Sequence, residues 1–337
     1  MLSSYFPDEN RHLDLRVAGP PRLHTYSRIY PFTILADGLP LTTILVKAPH
    51  GRKAADVQMA WRALRYLQPV FNDEAHLGIP RALGVWQDPP ALIMEQAEGE
   101  ALHQRMKECR NWGIETGCQL AQNFVEQAGR WLALLHENRP PVWAQAAPAP
   151  QETVEALLAR LHPFDIGALT ETRIREQLSH LPQQETEMTP LHGDYTLRNI
   201  LCQPPQKIVV LDTELALYGP AAWDIGWFLA ALHFIDKWQL FGQEMAYTRT
   251  VIRQTEEKFL HGYQRVRPLP APEAIRAYTS LRLLQRWAEL AEHQQSRNIA
   301  GMRQLVIRLI NHHFSRAILA SPVTRTTPIP PTASEDR

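Results

Sequence analysis

The hydrophobic pattern of the first hundred residues predicts a small sheet with one helix. Two β-rich runs, HTYSRIYPFTIL and LTTILVKA, flank the turn signal ADGLP and predict a hairpin whose second strand ends near Lys47. The segment ADVQMAWRALRYLQ has apolar residues at helical spacing, and the runs RALGVW and ALIMEQ on either side of QDPP predict a second strand pair. The polar residues before about position 20 end in GPP and are predicted to be a lead-in segment.

From Glu100 onward the pattern becomes helical. The stretch QLAQNFVEQAGRWLALLHEN carries a strong apolar stripe. Two shorter helices are predicted near 152–162 and 171–181, after a loop at 140–150 that is rich in proline and alanine. Helical spacing returns after His233, in YTSLRLLQRWAELAEHQQ and GMRQLVIRLINHHF.

These patterns predict an α+β protein with two lobes. A small β-rich N-terminal lobe is expected over residues 1–96, and a larger, mostly helical C-terminal lobe over 97–320. The Pro/Thr-rich residues 321–337 are expected to form a disordered tail. A cleft between two lobes is the expected place for a ligand site.

Charge and cysteine content restrict the expected setting of the protein. Lysine plus arginine and aspartate plus glutamate each number 35, and the pI is near 7.3, which argues against a protein that coats nucleic acid or a membrane surface. The three cysteines, Cys109, Cys118 and Cys202, form no CxxC pair and favour a reducing compartment. Because no secretory signal and no membrane-spanning run is found, we expect a cytoplasmic protein. The sequence does not indicate an oligomeric state.

Four polar residues, Asp194, Asn199, Asp212 and Glu214, surround a short, very apolar run in the stretch LHGDYTLRNILCQPPQKIVVLDTE. Carboxylates beside a buried strand need a compensating charge. The spacing from Asp194 to Asn199 is typical of a phosphoryl-transfer loop, in which the aspartate meets the substrate hydroxyl and the asparagine binds Mg²⁺. Asp212 follows the next strand, where a second aspartate would bridge Mg²⁺ to the phosphates of ATP. Phosphoryl transfer is the predicted chemistry.

The ordered set HGD-x₄-N, strand, DTE and a downstream aspartate resembles the aminoglycoside phosphotransferase and choline kinase-like superfamily. The resemblance covers roughly residues 25–315 and implies a two-lobed protein-kinase-like fold. It also implies an ATP-dependent, Mg²⁺-dependent phosphotransferase that acts on a hydroxyl of a small molecule. Glu214, the last residue of DTE, either assists the metal site or only lies beside it.

The resemblance assigns a role to each polar residue of this stretch. Asp194 matches the catalytic aspartate, and Asn199 and Asp212 match the metal ligands that also hold the nucleotide phosphates. His192 matches a histidine that maintains the shape of the loop. Asp224, in YGPAAWDIGWF, matches an aspartate that braces the loop through backbone contacts.

The nucleotide side of the site is expected in the first lobe. Lys47 ends an apolar strand, as does the lysine that contacts the α- and β-phosphates in kinases, although it could instead be a solvated edge residue. The stretch ALIMEQAEGEAL resembles the family's hinge, so backbone atoms from Glu95 to Ala97 would bind adenine and Met94 would pack near the base. The alternative is a plain strand end.

Two features of the kinase pattern are missing. Kinases pair the strand lysine with a helix glutamate, but Ala60 or Arg62 occupies that position, and the nearest acids are Asp56 and Glu74. The turn ADGLP holds a single glycine and no GxGxxG loop is present. A catalytically inactive, kinase-fold binding or regulatory protein is therefore the alternative to an active small-molecule kinase.

Substrate-binding residues are less specified by the sequence. Trp223, Trp227 and Trp238 are expected in the core, unless one of them lines a substrate pocket. Several acids of the C-terminal helices form either a solvated face or a site for a cationic substrate, as in family members that act on cations: Glu244, Glu256, Glu257, Glu289 and Glu292. The acceptor, and the choice between ATP and GTP, stay open.

Overall fold

The computed structural model describes most of the two lobes. The described residues are 12–24, 26–49, 57–108, 116–164, 171–172, 174–176, 187–234 and 249–293. The helix predicted in GMRQLVIRLINHHF, the tail 321–337, Cys109, Trp238 and Glu244 lie outside these residues.

An antiparallel sheet forms the N-terminal lobe. Its strands lie in the order β1-β3-β4-β7-β6, and β2 also pairs with β3. The bounds are β1 Leu13–Val17, β2 Arg22–Leu23, β3 Ser27–Ala36, β4 Leu39–Pro49, β6 Ala82–Gln87 and β7 Pro90–Glu95. The predicted hairpin around ADGLP and the strand pair around QDPP are both present.

The prediction of a lead-in segment before position 20 is wrong for β1. Leu13 to Val17 pair with Ala36 to Phe32 and add an edge strand to the sheet. Four of the five β1 residues are exposed, so the strand buries little apolar surface and its hydrophobic signal is weak. The alternation in LDLRV is the signal that could have identified it.

One helix covers the N-terminal sheet. Helix α1, Val57–Phe71, places Val57 and Leu64 on its inner face, where they pack with Ala82 of β6 and Leu92 of β7. This is the amphipathic helix that the 3.6-residue spacing predicts.

Helices dominate the C-terminal lobe. They are α2 Leu102–Glu108, α3 Thr116–His136, α4 Pro150–Leu161, α5 Ala222–Phe234, α6 Arg249–Gln264 and α7 Pro272–His293. Helices α3 and α6 approach so closely that a Cβ on Gly129 would collide with the backbone at Phe259. Large buried aromatic residues fill the interior, with the Phe228 and Phe259 rings stacked 3.9 Å apart.

Two small sheets hold the polar loops in place. The first has the order β10-β13-β9, with β10 Met188–Leu191, β13 Leu217–Pro220 and β9 Gln145–Ala146. The second has the order β5-β12-β11-β8, with β5 Leu77–Gly78, β12 Lys207–Val210, β11 Ile200–Gln203 and β8 Glu100–Ala101. The loop 192–199 therefore joins β10 to β11, and the loop 211–216 joins β12 to β13.

Candidate active site

His192 connects the two polar loops. Its Nε2 atom lies 3.0 Å from the carbonyl oxygen of Leu211, which can only accept, so Nε2 carries a proton. Its Nδ1 atom accepts the backbone N–H of Asp194 at 3.3 Å. The two bonds together define a neutral imidazole that fixes loop 192–199 against loop 211–216.

Asp224 lies at the start of α5 and is fully buried. Its carboxylate accepts the backbone N–H groups of His192 at 2.7 Å and Gly193 at 3.0 Å. These two bonds compensate much of the cost of burying the charge. The loop is thus held from behind by backbone contacts, which is the kind of contact that the family resemblance implies for this residue.

A buried histidine supports Asp224 in turn. Nε2 of His136 lies 3.3 Å from Oδ2 of Asp224, and Nδ1 lies 3.0 Å from the hydroxyl of Tyr263. Burial lowers the pKa of His136, although the Asp224 carboxylate opposes this effect. The imidazole is therefore neutral, with Nε2–H donating to Asp224 and Nδ1 accepting from Tyr263.

Asn199 orients Asp194. Its Nδ2 group donates to the backbone oxygen of Asp194 at 3.0 Å and to Oδ2 of the same residue at 3.2 Å. The amide oxygen of Asn199 takes no part in these bonds. Asp194 itself is exposed, so its carboxylate faces the space that a substrate could enter.

Asp212 adopts an unusual backbone conformation beside this loop. The N–H of Leu211 donates to the carbonyl of Asn199 at 2.7 Å, which brings Asp212 next to loop 192–199. Asp212 has a φ of +56°, in the left-handed region that non-glycine residues rarely adopt. Such conformations concentrate at functional sites.

Lys47 lies across the cleft from Asp212. Its Nζ atom is 2.5 Å from Oδ1 of Asp212, so β4 of the first lobe contacts the loop after β12. Burial alone would raise the pKa of the Asp212 carboxyl, but the charge and hydrogen bond of Lys47 hold it below its ordinary value. Asp212 is therefore a carboxylate at neutral pH. The alternative that Lys47 is a solvated edge residue is therefore wrong, because β4 lies inside the sheet and Lys47 pairs with Asp212.

The turn ADGLP does not lie near Lys47. Ile29 is the cross-strand partner of Lys47, whereas ADGLP closes the other end of the β3–β4 hairpin. Those ends are about 25 Å apart at the rise of a strand. His24, whose N–H donates to Ser27 O at 2.9 Å, lies at the end of the hairpin that holds Lys47. The charge of His24 also helps to lower the pKa of Asp212.

The predicted hinge residues lie at and beyond the end of β7. The N–H of Glu95 donates to Arg81 O at 3.0 Å, and its carboxylate pairs with the Arg81 guanidinium at 3.1 Å. Met94 is half-buried against the cluster between α1 and the sheet. Ala97 is also half-buried, and within the described residues its backbone N–H makes no hydrogen bond.

The other predicted carboxylates have different positions. Glu74 lies 3.8 Å from Arg130, and Asp56 is outside the described residues. Glu214 is half-buried, two residues after Asp212. Across the described part of the chain, no group of three or more histidine, cysteine, aspartate or glutamate side chains is arranged to hold a metal ion.

The described acids of the C-terminal helices lie beside basic side chains. Glu289 contacts Arg282 at 3.0 Å and Arg286 at 2.8 Å. The guanidinium of Arg282 also lies 4.2 Å from the centroid of the Trp227 ring, which stacks on Trp223. The remaining described acids of this set also have partners: Glu256 with His233, Glu257 with Arg253 and Glu292 with Arg160. Sequence reasoning missed Arg282, because its contact with Trp227 joins two helices that are far apart in the chain.

These observations define a two-lobed, protein-kinase-like fold with a cluster of polar residues in the cleft. The chain matches the phosphotransferase enzyme family over residues 32–269, more than two thirds of its length. The protein therefore belongs to that family, as the resemblance in the sequence predicts. No relative was found among curated proteins. Of the described helices, none has the length and apolar character needed to cross a membrane.

Solved structures share the fold at low sequence identity. A glucosamine kinase in complex with glucosamine, ADP and inorganic phosphate is 16% identical with a TM-score of 0.57, covering 95% of this chain and 82% of that one. The macrolide 2′-phosphotransferase MphH from Brachybacterium faecium is 16% identical with a TM-score of 0.52, covering 92% and 96%. Amicoumacin kinase hAmiN, in complex with AMP-PNP, Ca²⁺ and Ami, is 14% identical with a TM-score of 0.55, covering 91% of this chain and 92% of that one.

Proposed function

We propose that this protein is an ATP-dependent, Mg²⁺-dependent kinase that phosphorylates a hydroxyl group of a small molecule. The observation that carries the proposal is the convergence of Lys47 and Asp212 with the loop of Asp194 and Asn199. One cation and three oxygen-bearing side chains meet where the two lobes face each other. Phosphoryl transfer depends on such positioned charges.

Lys47 and the end of β7 would hold the nucleotide. The ammonium of Lys47 is a suitable partner for the α- and β-phosphates, and the unpaired N–H of Ala97 is a suitable partner for adenine. The backbone between Glu95 and Ala97 and the half-buried side chain of Met94 would line the base. The neighbours with ADP or AMP-PNP bound support a nucleotide in this fold.

Asn199 and Asp212 would hold Mg²⁺. Both supply hard oxygen atoms, and the lowered pKa of Asp212 keeps its carboxylate charged, so the pair fits a magnesium ion that takes its remaining ligands from phosphate and water. When bound, the ion neutralises the negative charge of the phosphates. The Ca²⁺ of the amicoumacin kinase complex supports a divalent cation in this fold.

Asp194 would orient the acceptor. Its carboxylate is exposed and held by the amide of Asn199. The acceptor oxygen attacks the γ-phosphorus, the bond from that phosphorus to the β–γ bridging oxygen breaks, and ADP leaves with the electron pair. The hydroxyl proton passes to Asp194 and then to solvent. His192 and Asp224 act only by maintaining the loop.

A regulatory, kinase-fold protein is the second candidate. The observation in its favour is that α1 offers Lys47 no acidic partner at the expected position. Asp212 instead supplies that partner, which favours an active site over a degenerate one. A cytoplasmic location is part of the proposal, because ATP is abundant there and Cys202 is buried and forms no disulfide.

Calorimetric titration of ATP, with and without Mg²⁺, tests the proposal. The wild type is expected to bind ATP more tightly with Mg²⁺, and Asp212→Asn is expected to lose that dependence. Asp73→Asn, at an exposed position after α1, is the matched control. If the wild type binds no nucleotide, the kinase proposal is wrong and the regulatory, kinase-fold protein becomes the favoured function.

A further inference from the structure

Helix α5 links the loop of Asp194 to a second charged cluster. Asp224, at its start, binds the backbone of Gly193, the residue directly before Asp194. Trp227 follows Asp224 by three residues, which places it about one helical turn further along the same side. Arg282 of α7 lies over the Trp227 ring, so α5 connects this arginine to the loop that carries Asp194.

Contact between α5 and α7 holds this arrangement rigidly. A Cβ on Gly226 would lie 2.6 Å from the backbone nitrogen of Thr279, so the two helix backbones are in direct contact. The Trp223 ring also packs on Tyr278, with centroids 5.8 Å apart. Arg282, which follows these residues on α7, is therefore presented by a fixed helix pair rather than by a flexible loop.

The cluster formed by Arg282, Arg286 and Glu289 carries one more positive than negative charge. Glu289 accepts hydrogen bonds from both Arg282 and Arg286, so one carboxylate is shared between two guanidinium groups. Arginine has five N–H donors, and the bond from Nη1 to Glu289 is the single hydrogen bond that Arg282 makes within the described residues. The other donors stay available to a ligand.

Arg282 is also partly removed from water. Its side chain is only 14% exposed, and burial lowers its pKa, an effect that the carboxylates of Glu289 and Asp194 oppose. A guanidinium with few water contacts binds an anion more strongly than an exposed one does.

We propose that Arg282 binds an anionic group, a carboxylate or a phosphate, on the acceptor whose hydroxyl Asp194 orients. This inference rests on the proposed function and names its substrate class. The acceptor would span the distance between the two side chains, with its hydroxyl at Asp194 and its anionic end at Arg282. A cationic acceptor would bring its ammonium group towards Arg282 and Arg286, and like charges oppose binding.

Matched sets of acceptors test the substrate class by ADP release. One set is glucose, glucosamine, glucuronate and glucose 6-phosphate, and another is glycerol, serinol, glycerate and glycerol 3-phosphate. We expect phosphorylation of at least one anionic member, well above the neutral and cationic members of its set. Comparison of the carboxylate compounds, glucuronate and glycerate, with the two phosphate compounds identifies which anionic group is bound. Phosphorylation of no anionic compound, or preference for a neutral or cationic one, would overturn the inference.

Substitutions at Arg282 test the role of this residue. They are assayed with the anionic acceptor that the wild type phosphorylates. Arg282→Gln is expected to lower kcat/KM by about tenfold or more, mainly through a higher KM, because the lost contact serves binding. Arg282→Lys should recover part of the loss. Arg160→Gln is the control. It breaks an exposed ion pair between α4 and Glu292 of α7, and its kcat/KM should stay within about twofold of the wild-type value, given the usual strength of surface ion pairs.

Nucleotide binding separates this inference from the proposed function. Calorimetry should show Mg²⁺-dependent ATP binding in the wild type and in every Arg282 variant, because Arg282 lies on the acceptor side. Loss of nucleotide binding in the wild type would refute the kinase assignment. Normal nucleotide binding with an unchanged KM in Arg282→Gln would refute only the role of Arg282. The acceptor preference of the wild type stays informative even if a variant fails to fold.

Discussion

Lys47 and Asp212 form an ion pair of 2.5 Å between residues that are 165 positions apart in the chain. Each group neutralises the other across the cleft. The same two groups are those proposed to meet the phosphates and the metal ion. Binding of Mg²⁺ and ATP would therefore replace one ion pair by a larger set of charge interactions at the same place. The pair also supplies the lysine with a partner that α1 does not offer.

Removal of the Lys47 charge should weaken nucleotide binding. Lys47→Met is expected to lower the affinity for ATP by about tenfold or more, since a charge-assisted bond to phosphate is lost. The pKa of Asp212 should rise as its counter-charge disappears. Calorimetry measures the affinity, with Lys207→Met, at an exposed position on β12, as the control. Equal losses in both variants would contradict a specific role for Lys47.

Asp194 should be required for turnover and dispensable for nucleotide binding. Asp194→Asn keeps the size of the side chain and the contact to Asn199, but it removes the carboxylate that accepts the hydroxyl proton. We expect turnover of an identified acceptor to fall by at least about a hundredfold, while ATP affinity stays near that of the wild type. Full activity in Asp194→Asn would show that the role assignment is wrong.

The helix contact at Gly226 should not tolerate a methyl group. Gly226→Ala would bring a Cβ to 2.6 Å from the backbone of α7, so the helices must separate. We expect the free energy of unfolding to fall by about 1–3 kcal/mol. Chemical denaturation measures this loss. In Gly19→Ala the new Cβ would have its nearest neighbour at 3.9 Å, and that variant should differ from the wild type by less than about 0.5 kcal/mol.

His136 should make stability depend on pH. Its folded pKa lies below the ordinary value of 6.5 because of burial, so the unfolded state binds the proton more readily. Stability therefore falls as the pH drops below about 6.5, until the folded imidazole itself becomes protonated. Unfolding free energies measured between pH 7.5 and 5.5 should decrease more in the wild type than in His136→Gln. The difference between the two proteins removes the contribution of the other histidines. If the unfolding free energy changed equally with pH in both, His136 would be excluded as a source of pH dependence.

Local spacing was sufficient to predict the core of the candidate site. The four residues between Asp194 and Asn199 span one loop, and the strand before Asp212 is marked by its β-branched residues. Short-range patterns of this kind determine which side chains project from adjacent loops. The lobes and the main helices were predictable for the same reason.

Long-range contacts were not predictable from the sequence. The partner of Lys47, the support of Asp224 by His136 and the position of Arg282 each depend on how distant elements pack. The edge strand β1 was missed because most of its side chains are exposed. The absence of a glycine-rich motif from ADGLP has no bearing on the nucleotide site, because that turn lies at the end of the hairpin opposite Lys47.

The sheet that contains β5 and β12 restricts how the cleft can open. β5 belongs to the first hundred residues, yet Leu77 and Gly78 pair with Ile208 and Val209 of β12, and the Trp131 indole donates to the Gly78 carbonyl at 3.1 Å. Any lobe movement that preserves these bonds must rotate about this ladder. Asp212, two residues beyond β12, would stay almost still while the large antiparallel sheet carries Lys47 away from it. Admission of nucleotide and release of product would then be coupled to the separation of Lys47 from Asp212.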